Sequence, residues 1–213
     1  MECEKVVLKA NGEKGLLTCT IRPSAIFGPG DRQMIPGMIE VCQRKQHRFQ
    51  IGNNQSLMDF TYVGNVAYAH VLAAEKLAIP NSGAAGQAFN LTNGTPIPFW
   101  DFASRVWAVY GCYIPNNKKI ILSKGASSVI AIISETIYNI KLMFWDKSQV
   151  KEGLSRARIK QAMSSRYFNI NKARTILGYE PQIGLDEGIK LSVAVSSNKN
   201  IYQWYSYLSF FLS

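Results

Sequence analysis

The chain has 213 residues, of which 47% are hydrophobic, 11% aromatic and 18% charged. This length suits one domain, or one and part of a second, and the apolar content can build a core, which excludes wholesale disorder and collagen-like repetition. Lys and Arg number 24 against 14 Asp and Glu, so the formal net charge is +10.

The basic residues fall into separate groups, at 44–48, 118–119 and 156–160, rather than into one stripe interleaved with aromatic residues. No DNA- or RNA-binding signature accompanies them. We therefore expect no nucleic-acid partner, and we interpret the charge as solvated surface with some attraction to anionic membrane.

The cysteine pattern bears on metals and redox state. The four cysteines are far apart and form no CxxC pair, and neither histidine stands at the usual ligand spacing from one of them; the six residues are Cys3, Cys19, Cys42, Cys112, His47 and His70. This pattern predicts no metal site. Because residues 1–15 contain no apolar leader segment, we expect free thiols in a reducing compartment rather than a disulfide framework.

The predicted elements alternate between helix and strand. Residues 2–11 are typical of the end of a helix, 15–21 of a buried strand, and 24–31 of a loop in which Asp31 begins the next helix. The pattern then predicts, in order, a helix at 34–46, a strand at 49–51, an extended segment at 59–63, a helix at 64–77, a strand at 88–92 and a helix at 96–110. The alternation indicates an α/β fold with fewer strands than a complete doubly wound sheet carries.

Two apolar stretches, 125–144 and 201–213, were considered as membrane spans. The first is interrupted by Glu135, Asn139 and Lys141, and the second has only 13 residues, so neither is expected to cross a bilayer. Isoleucines recur at helical spacing in the first, which predicts an amphipathic helix on a protein core or partner, with a membrane surface as the alternative.

Four blocks together resemble the extended short-chain dehydrogenases. They are LLTCTIRPSAIFGPGD (16–31), MDFTYVGNVAYAHVLAAEKL (58–77), AFNLTNGTPIPFWDFASRVW (88–107) and YFNINKARTILGYEPQIGLDEGI (167–189). Within that group the chain is similar to the 3β-hydroxysteroid dehydrogenase family, and most to its sterol-4α-carboxylate 3-dehydrogenase (decarboxylating) branch.

The resemblance implies the C-terminal half of an NAD(P)-binding Rossmann-like doubly wound domain plus a mostly helical substrate-binding part. We assign the former to residues 1–112, the latter to 113–200, and an aromatic tail to 201–213. Family members also carry a Gly-rich phosphate loop and a Tyr-x-x-x-Lys pair, in which the Tyr acts as acid and base. Neither motif stands in these 213 residues. We therefore predict no catalytic residue here and no dinucleotide binding by this chain alone, although the complete family enzyme uses NAD or NADP.

The resemblance also carries site residues. Arg22, Pro23, Ser24 and Ile26 are expected to line the nicotinamide side of the cleft, with simple strand termination at Pro23 as the alternative. Sugar-nucleotide relatives place an Arg before the Asp that corresponds to Asp59, whereas this chain has Leu57 and Met58 there. That apolar pair predicts either a wall for a sterol ring or plain packing.

Three further polar residues are expected to have structural rather than catalytic roles. Asp59 and Asn65 are expected to bond local backbone and to cap the helix that starts near residue 64. His70 is expected to pack or to face solvent.

Two functions remain open at this stage. One is that the chain is part of an NAD(P)-dependent C-3 sterol dehydrogenase, which acts on a sterol at the endoplasmic reticulum membrane surface or in the cytoplasm. The other is a catalytically inactive truncated paralogue or incomplete gene model, which binds at most a lipid or a partner protein.

Overall fold

Helices and short strands alternate along the residues that the structure, a computed structural model, describes: 2–144, 159–160 and 162–197. The helices are α1 (Glu2–Lys9), α2 (Met34–Gln43), α3 (Val63–Ala78), α4 (Phe99–Tyr110), α5 (Lys124–Phe144), α6 (Asn171–Leu177) and α7 (Leu185–Ser197). The strands are β1 (Thr20–Pro23), β2 (Ala25–Phe27), β3 (Phe49–Ile51), β4 (Leu57–Met58), β5 (Phe60–Tyr62), β6 (Ala88–Leu91), β7 (Ile97–Pro98) and β8 (Ile120–Leu122).

The chain divides into two compact units that each combine distant segments. The first unit contains Met1–Gly37, Asp59–Pro96 and the segment that starts at Tyr167, and the second contains Met38–Met58 and Ile97–Arg166. The sequence-based division at residue 112 stays a prediction, and the tail at 201–213 lies outside the described residues.

The first unit is built on parallel strand pairs. β1 pairs with β6 from Thr20↔Ala88 to Pro23↔Leu91, and β2 pairs with β5. Parallel neighbours need a crossover connection, and the connection from β1 to β6 contains α3. These pairs, with helices between the strands, confirm the α/β class.

The core of the first unit lies between strand β6 and two helices. Phe89 and Leu91 of β6 are fully buried, and Ala69 and Ala73 of α3 pack in the same cluster. Small residues on this face of α3 allow close approach to the strand, and α6 closes the cluster with Leu177.

One predicted strand begins later than the sequence indicated. β1 starts at Thr20, and Leu16 and Leu17 are 52% and 46% exposed. The Thr18 carbonyl still accepts the Gly86 N–H at 2.7 Å. However, the Thr18 N–H donates to Asn11 Oδ1 at 2.9 Å and the Leu16 carbonyl accepts the Gly12 N–H at 2.7 Å, so this segment is held by the turn after α1. The prediction of a buried strand from residue 15 is therefore wrong in its first half.

The Asp31 cap is confirmed. Its carboxylate accepts hydrogen bonds from the backbone N–H groups of Gln33, Met34 and Ile35, at 2.8, 3.0 and 2.9 Å. These are donors that the first turn of α2 leaves unpaired, which explains why the helix begins here.

The second unit has a parallel pair, β3 with β8, and an antiparallel pair, β4 with β7. Ile51 and Ile159 form a small buried cluster against Trp100. The indole N–H of Trp100 donates to the Ile51 carbonyl at 2.8 Å, so this large ring is both packed and hydrogen-bonded.

The cysteines of the second unit differ from expectation. Cys42 and Cys112 are joined as a disulfide with their Cα atoms 6.4 Å apart, whereas Cys3 and Cys19 are free. The expectation of thiols alone is therefore wrong for this pair. The spacing of 70 residues hid the juxtaposition, because only the folded chain brings the ends of α2 and α4 together.

Helix α5 exposes its apolar side chains. Ile130, Ile133, Ile137 and Ile140 are 42–54% exposed, whereas Ser127 is fully buried. This contradicts packing of the stripe on the core of this chain, within the residues described. Among those residues, no helix combines the length and apolarity that crossing a bilayer requires.

Candidate functional site

The candidate site lies at the carboxyl ends of the parallel strands of the first unit, the edge where open α/β sheets bind ligands. Ser24 follows the end of β1. Its N–H donates to the Leu91 carbonyl at 3.0 Å, and its Oγ donates to the Asp59 carbonyl at 3.0 Å. Ser24 is thereby fixed to the carboxyl end of β6 and to the residue that precedes β5, and Pro23, paired with Leu91, completes the end of β1.

Ile26 presents an apolar surface in this region. It lies in β2 opposite Thr61 and is 45% exposed, whereas its neighbour Phe27 is fully buried. Side chains alternate between the two faces of a strand, so Phe27 takes the core face and Ile26 the open one. An exposed apolar side chain here suits contact with a flat ring.

Arg22 is occupied by another partner. Its Nε donates to Glu4 Oε2 at 2.6 Å, and a second guanidinium nitrogen donates to Oε1 of the same carboxylate. The guanidinium lowers the pKa of Glu4, and the carboxylate raises the pKa of Arg22. Both side chains are partly exposed, so this bidentate pair ties α1 to β1 at the surface.

Asp59 is only 2% exposed and anchors a distant segment. Its Oδ2 accepts the backbone N–H of Phe168 at 2.7 Å, across 109 residues of sequence. Burial raises the pKa of the Asp59 carboxyl, and the hydrogen bonds from Phe168 and Thr92 oppose that shift. The expected local role is wrong, because the carboxylate joins two segments that are far apart in the chain.

Asn65 is likewise buried within the first turn of α3 and does not cap it. Its Nδ2 donates to Asn93 Oδ1 at 2.9 Å and to the Ile183 carbonyl at 2.8 Å. Its Oδ1 accepts the N–H groups of Gln182 and Ile183, both at 3.0 Å. Asn65 therefore holds the loop before α7, and the cap expected from sequence is replaced by a non-local role.

Asn93 completes the same network. Its Oδ1 accepts the Tyr62 N–H at 3.0 Å, and its Nδ2 donates to the Ile183 carbonyl at 3.0 Å. Two asparagine side chains thus fix the ends of β5 and β6 and the loop that passes beside them. Sequence reasoning overlooked Asn93, although NLTNG was among the quoted motifs and an Asn-Gly turn after a strand could have indicated it.

Tyr179 has a structural role rather than a role in acid–base chemistry. It is fully buried, its hydroxyl donates to the Thr92 carbonyl at 3.0 Å, and burial raises its pKa to about 12. His70 is exposed and its Nδ1 contacts the Val66 carbonyl of its own helix at 2.8 Å, in agreement with the surface role expected for it.

Leu57 and Met58 belong to the second unit. Leu57 pairs with Pro98 and Met58 with Ile97, and the Leu57 carbonyl accepts the N–H of Arg166 at 2.8 Å. Met58 is 4% exposed and Leu57 is half-buried. Both side chains are thus held on a short, doubly paired strand, and their role toward a substrate stays a prediction.

Pro23 and Ser24 thus close the end of β1 and Ile26 lies in the next strand, β2, while their contact with a nicotinamide stays a prediction. Arg22 is bound to Glu4, and Leu57 and Met58 lie in the other unit.

Comparison with known proteins gives the family. The sequence profile of the 3-beta hydroxysteroid dehydrogenase/isomerase family matches residues 1–122. Sterol-4-alpha-carboxylate 3-dehydrogenase (decarboxylating) of Schizosaccharomyces pombe is 41% identical over 192 residues, 90% of this chain and 53% of the yeast protein. The Saccharomyces cerevisiae protein of the same name is 42% identical over 195 residues, again 90% and 53% of the two chains. The human protein of the same name is 35% identical over 196 residues, which are 89% of this chain and 49% of the human protein.

Solved structures agree on the fold. The protein gox2253 superposes with a TM-score of 0.61 at 22% identity, covering 93% of this chain and 54% of that one. The dTDP-glucose 4,6-dehydratase of Bacillus anthracis, solved with NAD, gives a TM-score of 0.57 at 13% identity, with 92% and 50% covered. At these identities the likeness establishes the NAD-binding Rossmann-type fold alone.

The chain spans about half the length of the curated relatives that it matches. Because the family profile covers more than half of these 213 residues, and the sequence relatives extend the match across nine-tenths of them, the chain belongs to the 3-beta hydroxysteroid dehydrogenase/isomerase family.

Proposed function

We propose that this chain supplies the substrate-selecting part of an NAD(P)-dependent C-3 sterol dehydrogenase that acts on a sterol 4α-carboxylate. The observation that carries the proposal is the 41–42% identity, over 90% of the chain, to two yeast proteins named for that activity. The likeness runs through both units, and so includes the segments that hold Ile26 and Met58.

The proposed reaction oxidises the sterol C3 alcohol. The C3 hydrogen leaves as hydride, the hydroxyl proton passes to a base, and a C3 ketone results. With a carboxylate at C4 this product is a β-keto acid. The bond between C4 and the carboxyl carbon then breaks, CO2 leaves, and the electron pair passes to the C3 carbonyl as an enolate, which takes up a proton at C4. The bound NAD(P) supplies the hydride acceptor.

The residues of this chain fit the nicotinamide end of such a cofactor. Ile26 offers an exposed apolar side chain for the face of the ring, and Ser24 is held in place by its bonds to Leu91 and Asp59. No Gly-rich loop stands in these 213 residues, so we assign none of them to the cofactor phosphates.

The substrate class follows from charge at the strand β4 position. A bidentate guanidinium suits a diphosphate, and the residue before Asp59 is Met58 rather than an Arg. Leu57 and Met58 leave that position apolar and uncharged, which favours a sterol ring over a sugar nucleotide. The second unit then chooses the substrate, through the segment that β7 holds in place.

A hybrid enzyme tests the proposal. The N-terminal segment of the Saccharomyces cerevisiae relative, up to the point where the match begins, is fused ahead of Glu2. We expect NADH or NADPH formation with a 3β-hydroxysterol 4α-carboxylate and none with UDP-glucose. A folded hybrid that oxidises only the sugar nucleotide contradicts the proposal.

We also propose that the protein attaches peripherally to anionic membrane, which supports a place at the endoplasmic reticulum surface. The observation in favour is the exposed face of α5, where Ile133 and Ile137 are 54% and 49% exposed. A net charge of +10 adds attraction to anionic lipid.

Vesicle co-sedimentation tests the attachment. The 213-residue chain should sediment with phosphatidylcholine/phosphatidylserine vesicles at low salt and be released as salt is raised. Ile133→Glu with Ile137→Glu should abolish binding. Asn139→Glu, which adds a charge at another exposed position of α5, is the control and should keep most of it. Equal binding by the two variants would contradict the assignment to this face.

A further inference from the structure

A cluster of two sulfur atoms and one imidazole lies in the second unit, away from the strand edge described above. Cys42, in the last turn of α2, is 6% exposed, and Cys112 stands two residues after the end of α4. The two Sγ atoms and a ring nitrogen of His47 all lie within 4.8 Å of one another. Thiolate and imidazole are the ligand types that zinc prefers.

The backbone builds this cluster with two helix ends. After α2 the chain reverses at Lys45, whose φ is 58°, and the N–H groups of Lys45 and Gln46 donate to the Cys42 and Val41 carbonyls at 2.8 and 3.0 Å. This turn returns His47 to the side of Cys42.

The other helix end places the second sulfur. Gly111 has a φ of 94°, and the N–H of Cys112 donates to the Trp107 carbonyl at 2.8 Å. A side chain at Gly111 would be strained at that φ, so glycine is what lets the chain turn Cys112 back toward α2.

His47 carries an unused ligand atom. Its Nδ1 is buried and has no hydrogen-bond partner among the residues that the structure describes. The ring packs edge-on against Trp107, with centroids 5.9 Å apart, but the Trp107 N–H is committed to the Met38 carbonyl at 2.8 Å. A metal ion bound to the two sulfurs would have a ring nitrogen of His47 within reach as a third ligand.

We propose that reduced Cys42, reduced Cys112 and His47 form a three-ligand Zn²⁺ site, and that the disulfide is its oxidised, metal-free form. Reduction by a phosphine or a dithiol adds two electrons and two protons to the S–S bond and gives two thiols. Zinc binding then releases both thiol protons, because the ligands are the two thiolates and the neutral imidazole. A water molecule completes four-coordination. The bound metal holds the ends of α2 and α4 together in the reduced protein, as the disulfide does in the oxidised one.

Cobalt titration of the full chain tests the site. The protein is reduced with a phosphine, freed of reductant without air, and titrated with Co²⁺. We expect one Co²⁺ per chain, thiolate-to-cobalt absorption in the near ultraviolet, the visible bands of tetrahedral cobalt, and loss of all of these when Zn²⁺ is added. The oxidised protein should give none of these signals. Absence of thiolate-to-cobalt absorption in the reduced protein overturns the proposal.

The chain offers matched controls for each ligand. Cys42→Ser and Cys112→Ser should abolish the thiolate band, and His47→Gln should weaken cobalt affinity at least tenfold. Cys19→Ser and His70→Gln should leave affinity unchanged. A signal that follows Cys3 or Cys19, or a His47→Gln affinity equal to wild type, contradicts the site.

A second readout needs no variant. In the reduced wild-type chain, Zn²⁺ should slow alkylation of two of the four cysteines, and mass spectrometry should identify them as Cys42 and Cys112. Equal alkylation rates with and without Zn²⁺ would show that the reduced pair does not bind zinc and would overturn the proposal.

Discussion

The two units treat their buried polar groups differently. In the first unit Asn65, Asn93 and Asp59 are buried, and each accepts or donates hydrogen bonds that join segments distant in sequence. In the second unit the buried Nδ1 of His47 has no partner within the described part of the chain, and Ile130, Ile133, Ile137 and Ile140 of helix α5 are exposed.

This difference distinguishes polar groups that stabilise the fold from groups that are free to bind a ligand. A buried polar network that is satisfied fixes one conformation of the loops at the strand ends, and the site residues depend on that conformation. The unpaired ring nitrogen of His47 and the exposed apolar face of α5 have no such partners among the described residues, and we propose a metal ion and a membrane surface for them. Four substitutions, described next, test these differences in hydrogen bonding and packing.

Asn65→Ala should have the largest effect on stability. The substitution removes four hydrogen bonds, two of them from the backbone N–H groups of Gln182 and Ile183, while the Ile183 carbonyl keeps its bond from Asn93. Since each unsatisfied buried group costs about 1–3 kcal/mol, we expect the free energy of unfolding to fall by about 3 kcal/mol. Urea denaturation measures it. His70→Ala, at an exposed position of the same helix, is the control and should change stability by no more than about 0.5 kcal/mol.

Gly188→Ala should have the next largest effect. A Cβ on Gly188 would lie 2.8 Å from Tyr62 Cδ2 and 3.2 Å from Phe27 Cε2, both on buried rings. Overpacking of this kind costs about 1–3 kcal/mol. Gly184→Ala is the matched control, because a Cβ there meets nothing within 4 Å. Equal thermal stability of the two variants would contradict the close packing of α7 on these rings.

Lys45→Gly should stabilise the protein. Lys45 holds a left-handed backbone at φ 58°, which glycine adopts without steric cost. Relief of this strain outweighs the greater freedom of glycine in the unfolded chain, so the net gain in free energy of unfolding should be about 0.5–1 kcal/mol. Gln46→Gly, one residue on, should destabilise instead, and denaturation midpoints of both variants test the turn that positions His47.

The Arg22–Glu4 pair should give the smallest effect, with a defined pH dependence. The pKa of Glu4 is lowered in the folded protein, so the pair stabilises it above the pKa that Glu has in the unfolded chain. That stabilisation is lost as pH falls through the folded-state pKa. Arg22→Gln should therefore lower Tm slightly at pH 7 and low salt, and by less at pH 3. Arg32→Gln, at another exposed arginine, should show no such difference between the two pH values.

The sequence predicted the local features well. The Asp31 cap, the β3 strand and the long helix α3 depend on short-range hydrogen bonds and on apolar spacing, which a sequence displays directly. The family blocks added the fold class and the residues at the end of β1.

Long-range pairing could not be predicted in the same way. Asp59 reaches Phe168, Asn65 reaches Ile183, and Cys42 meets Cys112, over separations of 109, 118 and 70 residues. No local pattern encodes such partners, because each depends on where the folded chain returns. The outward face of α5 was missed for a related reason: a helical apolar stripe marks one side of a helix and does not say what covers it.

The central claim is that this chain selects a sterol through an apolar β4 position. In the hybrid enzyme, Met58→Arg should lower kcat/KM for the 3β-hydroxysterol 4α-carboxylate at least tenfold, because it places an unpaired charge where an apolar side chain is 4% exposed. Met58→Leu, which keeps the position apolar, should stay within about threefold. Far-ultraviolet circular dichroism, with an assay temperature below the Tm of each hybrid, establishes that both are folded. The account predicts loss of sterol turnover with the Arg variant alone; sterol turnover unchanged in a folded Met58→Arg hybrid would contradict it.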